Sequence, residues 1–339
     1  MSLMLQEAQS APAQLARQWS ANAERVVEIG HRLREADPRG ALTVARGSSD
    51  HAAAYFGYLG MKRLGLPVAS IPPSLGTVSP APWRVRGQLA VAISQSGASP
   101  DLLAAQRALA DGGARTLALV NTPDSPLGEA SDETLLLHAG AEKSVAATKS
   151  YLATLAAGAH LVGAWQADGE LLAALERLPE RLERAAAFSW QPAIEALQGV
   201  DRMMVIGRGV GLGIAQEAAL KFKETCGIQA EAFSAAEVRH GPMALVGSGY
   251  PVLVFAPPGP EQAGLLELAA WLESVGARVL LAADDGVASR QLDLVDAGHD
   301  DLQPLSTIQS FYPMAAALAV ARGGDPDRPP HLKKVTRTL

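Results

Sequence analysis

The sequence predicts an α/β protein built as two tandem domains, each a doubly wound parallel sheet flanked by helices. Three observations carry that expectation. Apolar runs of strand length alternate with segments of helical period, each run ends in a short polar loop, and the order of elements repeats once along the chain.

The first run, Ala41-Leu42-Thr43-Val44-Ala45, ends at Gly47-Ser48-Ser49-Asp50 and is followed by the helical stretch HAAAYFGYLGMKRLG. The second, Leu89 to Ile93, leads through SQSGAS into a helical segment ending at Gly112-Gly113, and then into the run Thr116 to Val120. Residues 147 to 199 read as mostly helical, an amphipathic connection that also offers a face for a dimer. Met203 to Ile206 then runs into Gly207-Arg208-Gly209 as Thr43-Val44-Ala45 runs into Arg46-Gly47, and Arg46 and Arg208 lie 162 positions apart. Residues 89–121 align with 252–284, so that Gly113-Ala114-Arg115 meets Gly276-Ala277-Arg278 at an offset of 163. A near-constant offset over so many elements argues for internal duplication. The expected organisation is a helical leader (1–35), a first domain (36–167), a helical linker (168–198), a second domain (199–324) and a tail (325–339). By pattern alone that tail, Pro-rich and basic without periodicity, reads as a frayed end.

Composition excludes several classes. Hydrophobic residues make up 48% of the 339 positions and charged residues 19%, which supplies a core of ordinary size. A net charge of −6 argues against nucleic acid or an anionic membrane as partner. The single cysteine, Cys226, permits neither an intrachain disulfide nor a Cys-rich metal site. The N-terminal stretch is polar and amphipathic, unlike a signal peptide, and no apolar stretch is long enough to span a membrane. A soluble, cytoplasmic protein is expected, with no metal and no other cofactor.

The chemistry concentrates in loops. Ser94-Gln95-Ser96-Gly97-Ala98-Ser99 follows a buried run and opens a helix, where unpaired N–H groups and the helix dipole favour an anion. Ser99 before Pro100 also fits a plain N-cap, which leaves the preceding residues unexplained. The aligned residues of the second half, FAPPGPEQ, lack the serines, so phosphate binding is the better reading for the first half. Gly47-Ser48-Ser49 faces the same crevice. In the second half Glu217, Lys221 and Glu224 share one helix face by their spacing of four and three. They form either a solvated stripe of ion pairs or a charged site at the crevice where that helix begins. His240, in His240-Gly241-Pro242, is either structural or projected into a cleft by the turn. Carboxylates, a lysine and a histidine beside an anion loop suit proton transfer next to the carbonyl of a phosphorylated sugar.

In order along the chain, these and further stretches resemble the sugar isomerase (SIS) domain family, as two tandem domains of flavodoxin-like, three-layer αβα form. The resemblance rests on Arg46-Gly47-Ser48-Ser49, Ile93-Ser94-Gln95-Ser96-Gly97, Val145-Ala146-Ala147-Thr148-Lys149, Glu217 to Glu224, Ala230-Glu231-Ala232, Glu237 to Pro242 and Asp325 to Pro329. It is nearest the isomerase half of glucosamine-6-phosphate synthases and their stand-alone deaminase relatives. The resemblance implies that Gly47, Ser48, Ser49, Ser94, Gln95, Ser96 and Ser99 form the phosphate and sugar-hydroxyl shell, with backbone contacts from Val145. It implies Glu224 as the C1–C2 proton-transfer carboxylate with Glu217 and Lys221 beside it, and His240 as the ring-opening residue reaching a neighbouring subunit's site, hence a homodimer. It implies Lys334 as the residue that meets the open-chain carbonyl, which turns the tail into an active-site lid.

One departure bears on activity. The synthases begin with a glutaminase domain whose nucleophile is a cysteine after the initiator methionine; here residue 2 is serine, and neither a glutaminase nor ammonia from glutamine is expected. The expected activity is that of an SIS-type deaminase, taking glucosamine 6-phosphate and water to fructose 6-phosphate and ammonia. A deaminase, deglycase or isomerase of another amino sugar or fructosamine phosphate is the alternative enzyme, alongside an aminotransferase-like protein lacking the glutaminase. A sugar-phosphate sensor is the non-enzymatic alternative.

Overall fold

The computed structural model describes residues 1–334. It begins with a 34-residue helix, α1 (Leu3–Ala36). The first sheet region contains β1 (Ala41–Val44), α2 (Ser48–Leu64), β2 (Val68–Ser70), β3 (Leu89–Ser94), α3 (Pro100–Asp111), β4 (Arg115–Val120), the one-turn α4 (Pro126–Glu129), β5 (Glu133–Leu136) and α5 (Lys149–Gln166). Helices α6 (Gly169–Ala185) and α7 (Gln191–Leu197) follow. The second region contains β6 (Arg202–Gly207), α8 (Leu212–Cys226), β7 (Gln229–Ser234), the one-turn α9 (Ala235–Val238), β8 (Pro251–Ala256), α10 (Gln262–Ser274), β9 (Arg278–Ala283), β10 (Leu292–Asp293) and α11 (Gln303–Ala321).

Among the described residues there are two five-stranded parallel sheets, ordered β2-β1-β3-β4-β5 and β7-β6-β8-β9-β10. The two orders are the same once the second is renumbered, which is the duplication seen as topology. Every residue of β3 and β8 is buried, as continuous apolar runs covered on both faces require. The register locates the one-residue change of offset. Leu42 pairs with Ala90 and Met204 with Val252, equivalent positions 162 apart, whereas Leu89 pairs with Arg115 and Pro251 with Arg278, so β4 and β9 stand 163 apart. The helices follow the larger offset: Leu102, Ala105 and Leu109 of α3 pack on the first sheet as Leu265, Leu268 and Leu272 of α10 pack on the second. The two halves therefore diverge by one position between strand and helix, in the loop where the serines of the first half stand. Within β3 and β8 the sequence alignment at 163 is corrected to 162.

The chain divides into two compact units that are not single stretches. The N-terminal unit comprises Ala13–Glu142, Lys149–Glu176 and the tail from Lys333; the C-terminal unit comprises Met1–Pro12, Lys143–Thr148 and Arg177–Leu332.

The helical connection differs from the expected amphipathic segment. Helix α5 is buried around its whole circumference from Lys149 to Trp165, so it is a core helix. Its His160 stacks on Trp19 at 4.2 Å, and burial pushes the imidazole down to about 4, the state of a neutral core histidine. Helix α6 does carry an apolar stripe, Leu171, Leu175, Leu178, Leu182 and Ala185, at the spacing of one helix face. The described part of the tail, residues 325–334, is not a frayed end either. The Asp327 carboxylate accepts the N–H groups of Leu3 and Met4, both at 2.7 Å, and so caps the start of α1. No helix among the described residues is long and apolar enough to cross a membrane.

Candidate functional site

In the N-terminal unit the strand order reverses direction between β1 and β3, and in open parallel sheets ligands bind at such a switch point, beyond the carboxyl ends of the strands. The loops there are Arg46–Gly47 after β1 and Gln95–Ser99 after β3, so the sheet brings Gly47, Ser48, Ser49, Ser94, Gln95, Ser96 and Ser99 to one edge. Ser48 and Ser49 are the first residues of α2, and α3 starts one residue after Ser99. Two helix N-termini thus open onto the crevice, the arrangement that favours an anion.

The loop is tightly shaped. Ser94 Oγ accepts the Gly97 N–H at 3.1 Å and Ser96 Oγ accepts the Ala98 N–H at 3.3 Å. Ser99 occupies the N-cap position, but its hydroxyl makes no capping bond, so the plain-cap reading does not account for it. Arg46 donates at 3.1 Å to Asp101, which is fully buried at the start of α3 and ties the two loops together.

Gly97 has φ +61°, and a Cβ there would come within 2.5 Å of the Ser125 Cβ. Gly97→Ala is expected to lose about 2–4 kcal/mol of stability, combining a positive-φ backbone penalty with steric overlap, and urea unfolding measures the loss.

The equivalent crevice of the C-terminal unit is lined by Arg208, Val210, Phe255, Pro257, Pro258 and Glu261 among others, and leaves about 20 Å³, the space of a single water. Gly209 has a positive φ like that of Gly47, +58° against +53°. The backbone turn survives there without the donors or the room.

The charged helix face is real but not solvated. Glu217 and Lys221 are fully buried on α8; Lys221 Nζ lies 3.2 Å from Glu217 and donates to Glu224 at 2.5 Å. Burial alone would lower the Lys221 pKa, but the Glu217 and Glu224 carboxylates outweigh it and hold the ammonium above its ordinary value. A lysine so held is a fixed positive charge and not a free amine. The Glu224 side chain is 20% exposed and lines a cavity of about 680 Å³ together with Lys223, Thr225, Arg322 and Leu332, within the size range of small-molecule sites.

The expectation that this face begins at the crevice after β6 is corrected. Glu224 lies in the last turn of the 15-residue α8, and at 1.5 Å rise per residue it stands roughly 18 Å from the helix start. His240 is exposed on the loop after α9, ahead of Gly241 with φ +141°, and among the described residues it forms no ion pair with the α8 charges.

Val145, half-buried, belongs to the segment Lys143–Thr148, which Glu7 of α1 holds in place. The buried Glu7 carboxylate accepts the N–H groups of Lys143 at 2.5 Å and Ser144 at 3.1 Å. Lys334, the last described residue, forms an ion pair with buried Glu142 at 2.9 Å. Sequence reasoning singled out none of Glu7, Asp101, Glu142 or Asp327 for these roles. Each is one carboxylate in an unremarkable context whose partner lies far along the chain, apart from the general signal that a buried carboxylate must be paired.

The SIS domain model matches residues 36–164 and 196–291. The chain is 37% identical over 301 residues to glutamine–fructose-6-phosphate aminotransferase (isomerizing) of Methanothermobacter thermautotrophicus, covering 86% of this chain and 50% of that protein. It therefore spans about half the length of such relatives. A crystal structure from Silicibacter pomeroyi DSS-3, provisionally named a phosphosugar isomerase, matches with a TM-score of 0.91 at 42% identity over 96% of this chain and 100% of that one. Glucosamine-6-phosphate deaminase from Thermotoga maritima matches with a TM-score of 0.80 over 99% of this chain and 100% of that one, at 24% identity, a likeness of fold. With two sheets of one topology, a serine-rich loop at the switch point and a family match across both halves, the chain belongs to the SIS domain family.

Proposed function

We propose that the protein is an SIS-type glucosamine-6-phosphate deaminase. The serine loops at the β1–β3 switch point bind the phosphate, Glu224 moves a proton between C2 and C1 of the open-chain sugar, and water then displaces ammonia from the resulting C2 imine. The products are fructose 6-phosphate and ammonia.

The observation that carries this reading is the α8 triad. Of three charges on one helix face, two are sealed in the core and Glu224 alone reaches a cavity of substrate size. A base must touch the proton that it moves, so Glu224 takes that role, while Lys221 and Glu217 fix its position. His240 takes the ring-opening role. In this reading it reaches the site of a neighbouring copy in a homodimer.

The aminotransferase relative supports a second reading, in which the same site runs toward the amino sugar from fructose 6-phosphate and supplied ammonia. The test is to incubate the protein with glucosamine 6-phosphate and follow ammonia and fructose 6-phosphate by coupled enzymes. Equal yields of the two products are the expected result. Amino sugar formed from fructose 6-phosphate and ammonium, without measurable deamination, would replace this reading with the second. Binding of the sugar phosphate with no turnover either way would leave a sensor.

A further inference from the structure

We propose that Glu142 is the positioning residue for Lys334. The proposal rests on the reading that Lys334 meets the open-chain carbonyl of the sugar. The Glu142 side chain is fully buried and itself fixed at both oxygens. Its Oε1 accepts the Ser150 N–H at 3.1 Å, and its Oε2 accepts the Ser150 hydroxyl at 2.6 Å and the Lys334 ammonium at 2.9 Å.

Ser150 stands in the first turn of α5, where the dipole of an 18-residue helix favours a carboxylate. The acceptor is thus built into the rigid framework, while its donor is a long side chain, 25% exposed, near the end of the tail. A free lysine samples many rotamers, and each misplacement of about 1 Å can lower a rate about a hundredfold. Glu142 removes that search. It presents the ammonium at one point before the sugar arrives and is there to receive it again when the product leaves.

Glu142→Gln keeps the size and the bond from the Ser150 N–H but loses the charge that holds the ammonium. Deamination by this variant is expected to lose about 10–100-fold in kcat with KM within about threefold, and Glu142→Asp, which restores the charge, to recover part of the loss. A buried residue that merely stabilised the fold would not divide the effect in this way.

A second measurement does not depend on turnover. Acylation of Lys334 by an N-hydroxysuccinimide ester, quantified by mass spectrometry, is expected to rise severalfold in Glu142→Gln. Unchanged kcat and unchanged acylation overturn the proposal. If Glu142→Gln does not fold, Ser150→Ala removes one anchor of the carboxylate. A fall of about 3–10-fold in kcat then supports the proposal, and no change overturns it. If the wild type shows no deamination, the deaminase reading fails by itself, and the acylation ratio still decides whether Glu142 holds Lys334.

Discussion

Glu224→Gln is expected to slow ammonia release from glucosamine 6-phosphate by about 10²–10⁴-fold, the usual contribution of a positioned general base, with KM little changed. The substitution keeps shape and volume at the cavity wall and removes only the ability to take a proton from carbon. Folding should survive, because Lys221 retains Glu217 at 3.2 Å and the replaced side chain was the partly exposed member of the three. A thermal melt within a few degrees of wild type, measured on the same sample as the rate, separates the two effects. Full activity in a folded Glu224→Gln variant would move proton transfer to another carboxylate and sink the assignment drawn from the cavity.

Lys221→Met carries the largest expected effect on stability. It removes the cation that stands 3.2 Å from the fully buried Glu217 carboxylate, and breaking a buried pair by removing one partner costs about 3–5 kcal/mol. Urea unfolding measures it. The double variant Glu217→Gln, Lys221→Met should recover part of the loss, since it removes the buried negative charge together with its cation. Equal loss in single and double variants would mean that packing, and not charge, sets the cost.

Alkaline titration gives an independent check. Because the Lys221 pKa is raised in the folded state, its contribution is complete below about 10.4, the value of a free lysine, and is lost as pH rises through the higher native value. Lys221→Met should lack that alkaline step.

The central strands were legible because they are apolar runs: β1, β3, β4 and β6 stand within a residue or two of where the pattern puts them, and β8 and β9 follow from the repeat. The edge strands β2, β5, β7 and β10 were not singled out. β2, β5 and β10 are short, and in none of the four, six-residue β7 included, are the residues buried without interruption, so no continuous apolar run marks them. In the same way the serine loop was visible because its hydroxyls are neighbours in sequence, and the α8 triad because a helix converts spacing into contact. Its burial was not visible, since α8 is wrapped by elements that periodicity alone does not place. Glu142 and Lys334 are 192 residues apart, and Lys143 is 136 residues from Glu7. Contacts of that span exist only once the chain has folded, and a single sequence holds no local trace of them.

The closed crevice between β6 and β8 bears on how such a chain can change. After duplication, one scaffold carries two loops in the same place, and only one of them must grip a ligand. In the C-terminal unit that loop carries Pro257, Pro258 and Glu261, while the strands on either side keep their register. Innovation in this architecture is therefore cheap at the loops and constrained in the sheet. The half whose loop lacks the serines is also the half that holds the charged core of α8.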